Sequence, residues 1–146
     1  MTDMTVKTPW HLWVVGVIAV LFNAIGVFDY VMSHLEGVAY MASAGMTPEQ
    51  IAHYDAMPAW MTAVWAIGVF GAFLASGFLL LRRKLAVPVF VVSLAAFLIS
   101  LVYTYGLTDG GEVMGPNMMI SSAVITATLL FFIWYARMMA KRGVLR

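Results

Sequence analysis

Apolar residues run through this chain in four long stretches, Leu12–Met32, Trp60–Leu81, Leu85–Tyr105 and Met118–Ala136, and the segments between them hold nearly all the charge. A helix crosses a hydrocarbon core in about 20 residues, and each stretch reaches that length. None alternates polar and apolar positions as a barrel strand must, and lipid leaves only helices or closed barrels as spanning structures. The pattern predicts an all-α integral membrane bundle of four transmembrane helices, one domain over residues 1–146.

Punctuation agrees with these boundaries. Pro9, Pro58, Pro88 and Pro116 fall at or near the start of a stretch, where a missing N–H costs nothing and the fixed φ suits helix entry. No proline interrupts the middle of a stretch, which argues against the discontinuous helices of many transporters. The connection Ser33–Ala59, about 27 residues, is long, since bundle connections usually take about 2–8. Its first part, Ser33–Ala44, is helix-compatible apart from Gly37, so the first helix is expected to project a few turns beyond the membrane, with Gly45 as its C′ cap. Thr47-Pro48-Glu49-Gln50 reads as N-cap to N3 of a capping box, with Met46 and Ile51 as its hydrophobic staple. The short helix so opened ends before Pro58. Carrying Tyr54 and Met57, it is expected over the outer mouth of the bundle as a connector, a lid or a docking surface. Ala42-Ser43-Ala44 has the small-residue form of a signal-cleavage site. The first stretch is longer than a signal core of about 7–15 residues, however, and is read as a retained helix.

Composition then narrows the chemistry. Of 146 residues, 63% are hydrophobic and 10% charged, against about 45–50% and 25% in soluble domains. A water-soluble enzyme, a disordered tail and a nucleic-acid-binding module are excluded, and a net charge of +1 offers nothing to a polyanion. Zero cysteines exclude disulfides, thiolate metal sites and a thiol nucleophile. All the basic residues, Lys7, Arg82, Arg83, Lys84, Arg137, Lys141, Arg142 and Arg146, fall on one face of a bundle with an even number of spans. The other face receives Glu36, Glu49, Asp55, Asp109 and Glu112. The positive-inside rule therefore predicts cytoplasmic termini, with the loop helix on the outer side. Trp10, Trp13, Trp134 and Tyr135 are expected at the inner interface, and Tyr30, Trp60, Tyr103 and Tyr105 at the outer one.

Few residues within the stretches carry chemistry. Asn23 lies near mid-membrane and needs a hydrogen-bond partner, with Ser93, Ser100, Ser122 and Thr126 as candidates. Gly68, Ala72 and Ser76 form a small-residue face, with Gly71 and Ala75 beside it, suited to close helix packing within the chain or between subunits. Asp29 is the one acid inside an apolar stretch, and intramembrane carboxylates are functional candidates. It sits about three residues from the outer end, within reach of Tyr103, Tyr105 or His34. Asn23, Asp29, Tyr30, Tyr103 and Tyr105 are thus the candidate ligand-binding residues. The histidines show no HxH, ExxH or HExxH spacing and none lies within a span, so neither metal nor haem is expected. The twelve methionines read as helix packing. No catalytic grouping occurs and no cofactor is called for.

Several strings carry a family resemblance: Trp10-His11-Leu12-Trp13, Asn23-Ala24-Ile25-Gly26 with Phe28-Asp29-Tyr30-Val31-Met32, Thr47-Pro48-Glu49-Gln50, Pro58-Ala59-Trp60, Leu81–Phe90, Tyr135-Ala136-Arg137 and Arg142–Arg146. Over nearly its whole length the chain resembles a small, uncharacterised family of four-helix inner-membrane proteins common in alphaproteobacteria, often labelled sugar transporters. The resemblance implies the four-helix fold and brings no functional residues with it. In size and span number the chain is also similar to small multidrug exporters, which work as dimers around a mid-membrane acid; Asp29 lies nearer the edge. The expectation is a non-enzymatic membrane protein that binds a small molecule or lipid or serves as an accessory unit. Its alternatives are a proton-coupled exporter working as a homodimer and a subunit of a larger membrane complex. Expected partners are membrane lipids, a second copy or another membrane protein, and no nucleic acid. Four helices of this length are expected to enclose little cavity on their own.

Overall fold

Four helices are long and apolar enough to cross a membrane in the computed structural model, which describes residues 7–108 and 110–146. They are α1 (Trp10–Leu35), α4 (Ala59–Leu80), α5 (Ala86–Val102) together with the turn that continues it to Leu107, and α7 (Pro116–Lys141). Three short helices, α2 (Val38–Ser43), α3 (Pro48–Asp55) and α6 (Gly110–Met114), gather at the end of the bundle remote from the arginines and lysines. A π turn, Tyr103–Leu107, continues α5 towards α6. No strand occurs among the described residues; Asp109 lies outside them.

The long helices pack in the order α1, α4, α5, α7. Small residues set the close approaches. A Cβ at Gly16 would come within 2.3 Å of Leu80 Cδ2, and one at Gly71 would lie 3.5 Å from Ser93 Cβ. Ser93 Oγ donates to the Gly68 carbonyl at 2.6 Å, tying α5 to α4. The small-residue face of α4 is therefore used within the chain, on α5 through Gly68 and on α1 through Ala72 and Ser76.

Packing is uneven along the bundle. The apolar core joins Leu12 and Ala19 of α1, Ala72, Ala75 and Leu79 of α4, Ala86 and Phe90 of α5, and the stretch of α7 from Leu129 to Met139. Every one of these lies in the half that carries the basic residues. Phe90 and Phe132 stack there with centroids 5.6 Å apart, and His11 Nδ1 meets the Tyr135 hydroxyl at 2.5 Å, fastening α1 to α7. Chain reversals complete this end. After α4, Arg82 adopts φ 57°, and the Arg83 and Arg82 amides return to the Phe78 and Leu79 carbonyls. After α7, Gly143 adopts φ 78°, and the Val144 and Gly143 amides return to Met139 and Ala140. Both are Schellman closures. The second folds Val144 and Leu145 into the core, and Arg146 then exchanges backbone bonds with Arg82 and Lys84.

At the opposite end the chain departs from the continuous projection expected of the first helix. Gly37 (φ 57°) breaks the helix after Leu35, and α2 folds back on α1. A third Schellman closure ends α2, with Gly45 at C′ (φ 85°) and the Met46 and Gly45 amides on Met41 and Ala42. Thr47 and Gln50 form the reciprocal capping box of α3. Gln50 Nε2 also donates to the Val113 carbonyl at 3.3 Å, latching α3 to α6.

The aromatic residues divide by exposure. Trp10, Trp13, Trp134, Trp60 and Tyr105 face outward, whereas Tyr135 and Tyr103 are buried and serve the interior. Tyr135 meets His11, and Tyr103 lies under the rings of Trp60 and His53.

Candidate functional site: a cavity between α1 and α7

Away from the core, no comparable interface joins α1 to α7, and a cavity occupies the space between them. One part, about 540 Å³, is bounded by Asn23, Asp29, Phe97, Ser121 and Val124, among others. A second part of about 570 Å³ continues under α3, past Tyr54, Trp65 and Asn117. Gly26, Asp29, Phe97, Ser121 and Ile125 line both parts. On one chain this space is an open-sided groove, bordered by the largely exposed Ile25, Phe28, Ile120 and Val124. The helices are held together at one end and capped by short helices at the other, which leaves the middle of the α1–α7 side unfilled.

Asn23 is buried and donates from Nδ2 to Ser76 Oγ at 2.7 Å and to the Ala72 carbonyl at 3.3 Å. Its partner is on α4 rather than among Ser93, Ser100, Ser122 and Thr126, because α1 packs on α4. Three of those hydroxyls bond elsewhere: Ser93 to the Gly68 carbonyl, and Ser100 and Thr126 to their own helices at Phe97 and Ser122.

Asp29 lines the junction of the two parts and accepts at Oδ1 from the Tyr40 hydroxyl, 2.9 Å away. In a continuous helix the eleven residues from Asp29 to Tyr40 would span about 16 Å. The break at Gly37 brings them together. Neither Tyr103 nor Tyr105 is the partner, and His34 Nδ1 instead bonds the Tyr30 carbonyl at 2.8 Å. The hydrogen bond to Asp29, then desolvation and the carboxylate's charge, raise the Tyr40 phenol above its ordinary 10.0. Burial, with a further contribution from the charge of Asp29, raises Tyr54 as well.

Of the five candidates from the sequence, Asn23 and Asp29 line this cavity. Tyr30 turns to α4, its ring 4.9 Å from Trp65 and 5.5 Å from Phe70 by centroid. Tyr103 is buried beside His53, and Tyr105 borders a groove between α5 and α7. Sequence reasoning missed Tyr40 and Trp65, and placed Tyr54 on the loop helix over the outer mouth without assigning it to a binding site. Gly37 was the available signal for Tyr40, since a glycine in a helix-compatible run marks a possible reversal.

No group of three or more metal-binding side chains occurs among the described residues. No protein-family model matches the chain, and no curated protein or solved structure matches it.

Proposed function

We propose that this chain is a non-enzymatic integral protein of a bacterial inner membrane that takes a small amphipathic molecule into the cavity between α1 and α7. In this reading both termini and the basic residues are cytoplasmic, and α2, α3 and α6 form a periplasmic cap. The observation that carries it is the continuity of the two cavity parts through Gly26, Asp29, Phe97, Ser121 and Ile125. Ligand sites are typically concave and apolar with a few oriented polar groups, at about 300–1,000 Å³, and each part falls in that range.

Native mass spectrometry of the chain extracted in mild detergent tests the reading. The expected result is a bound small-molecule mass that is lost in Ser121→Trp, whose indole fills the junction. Bare chains in both, or the same adduct in both, contradict it.

A second reading, a proton-coupled exporter acting as a homodimer, is favoured by the lateral face of the cavity. Ile25, Phe28, Ile120 and Val124 line it and are largely exposed, a surface that a second copy can cover. It predicts that Asp29→Asn abolishes substrate-driven proton movement in proteoliposomes; unchanged flux removes Asp29 from that mechanism.

A further inference from the structure

The chemistry of the cavity wall restricts what fits there, and this step rests on the cavity reading above. In the part beside α1 most polar groups are committed within the protein. The Asn23 amide donates to Ser76 and Ala72, and the hydroxyls of Ser93, Ser100 and Thr126, in or beside the wall, donate to backbone carbonyls.

Asp29 is different. Among the described residues it receives one side-chain hydrogen bond, from Tyr40 to Oδ1, so its second carboxylate oxygen has acceptor capacity left. The lining contains no lysine or arginine; all eight lie in the sequence segments at the other end of the bundle. His53, on the far side of the part under α3, is the one basic side chain in the wall. Aromatic rings surround the acid. Tyr40 touches it, and Tyr54 lies close enough to sense its charge. Trp65 packs on Tyr54 with centroids 5.6 Å apart and lines the same space. An anion, aromatic faces and apolar walls together attract a positive charge carried on a hydrophobic body, since ring quadrupoles and a carboxylate both favour a cation, most of all where water is scarce.

We infer that the cavity binds a hydrophobic monovalent organic cation, its charge on Asp29 between the rings of Tyr40, Tyr54 and Trp65 and its apolar body towards Phe97 and Val124.

Equilibrium dialysis of the full chain in phosphatidylcholine nanodiscs tests this, with tetraphenylphosphonium as the cation and tetraphenylborate as an anion of nearly the same shape. Empty nanodiscs provide the baseline, and retained helicity and monodispersity of each variant establish folding. The expected result is saturable binding of the cation, weakened by about tenfold or more in Asp29→Asn, largely kept in Asp29→Glu and lost in Ser121→Trp, with no saturable binding of the borate. Cation binding unchanged in Asp29→Asn, or no saturable cation binding at all, overturns the inference. Borate binding that Ser121→Trp removes, with no cation binding, overturns the charge assignment while leaving the cavity reading standing. Loss of the native adduct test above, by contrast, removes the cavity reading itself.

Discussion

Asn23 and Asp29 lie six residues apart on α1 and do different work. Asn23 is interhelical: its amide crosses to Ser76 and the Ala72 carbonyl. Hydrogen bonds of this kind inside membranes are worth about 0.6 kcal/mol on average and up to about 1.7. A double-mutant cycle of Asn23→Ala with Ser76→Ala, read by unfolding in mixed micelles, is expected to show a coupling in that range; additive losses would mean the bond contributes nothing. Asp29 acts on its neighbours through charge. Tyr40 and Tyr54 hold their protons more tightly folded than unfolded, because the carboxylate and burial disfavour phenolate. Stability from these two phenols is fully present below their unfolded value near 10.0 and is lost as pH rises through their higher folded values. In a spectrophotometric titration Asp29→Asn should lower Tyr40 most, because its hydrogen bond to Asp29 is the largest cause. Tyr54 should move less, since burial dominates there. An unchanged curve would show that the Asp29–Tyr40 contact does not form.

The short helices are where the reading of elements was both strongest and weakest. Thr47 and Gln50 announced α3 because a capping box is a local device, complete within four residues. Thr47→Ala is expected to cost about 1 kcal/mol, seen as faster hydrogen exchange in α3 with α1 and α4 unchanged. Equal exchange in the variant would show that α3 is held by its Gln50 latch to α6 alone. Gly37 was legible as an interruption, yet not as a reversal, because the return of α2 depends on where Tyr40 finds a partner. The π turn at Tyr103–Leu107 had no sequence signal either. It is stabilised by Thr108 Oγ1, which donates towards the Tyr103 and Thr104 carbonyls, and it buries Tyr103 and Thr104 beneath α3. Each of these outcomes is decided by contacts between segments distant in sequence.

Across the whole molecule, the four spans were plain from hydropathy, since lipid imposes one length and one secondary structure on them. The division of the bundle into a tight half and a hollow half was not, because apolar residues look alike whether they face a core, a cavity or lipid. Phe90 and Ile120 illustrate it: Phe90 is fully buried against Phe132, whereas Ile120 is 63% exposed along the cavity. Phe90→Ala is expected to cost about 3 kcal/mol and Ile120→Ala less than about 1, measured by thermal unfolding in one detergent. Similar losses would contradict the asymmetry.

That asymmetry, with an accessible space between α1 and α7, is the central claim, and the absence of cysteine makes it directly measurable. Val124 on α7 and Ile67 on α4 each lie eight residues from the start of their helix, at the same end of the bundle, and are about equally exposed, at 53% and 49%. Val124 lines the cavity, whereas Ile67 faces outward on the α4 surface. With each replaced singly by cysteine in native membranes, a small water-soluble maleimide should modify Val124→Cys about tenfold faster or more, since the thiolate that attacks it forms only where water reaches the sulfur. Equal, slow rates at the two positions would mean that lipid or closed helices fill the space, and would contradict the account.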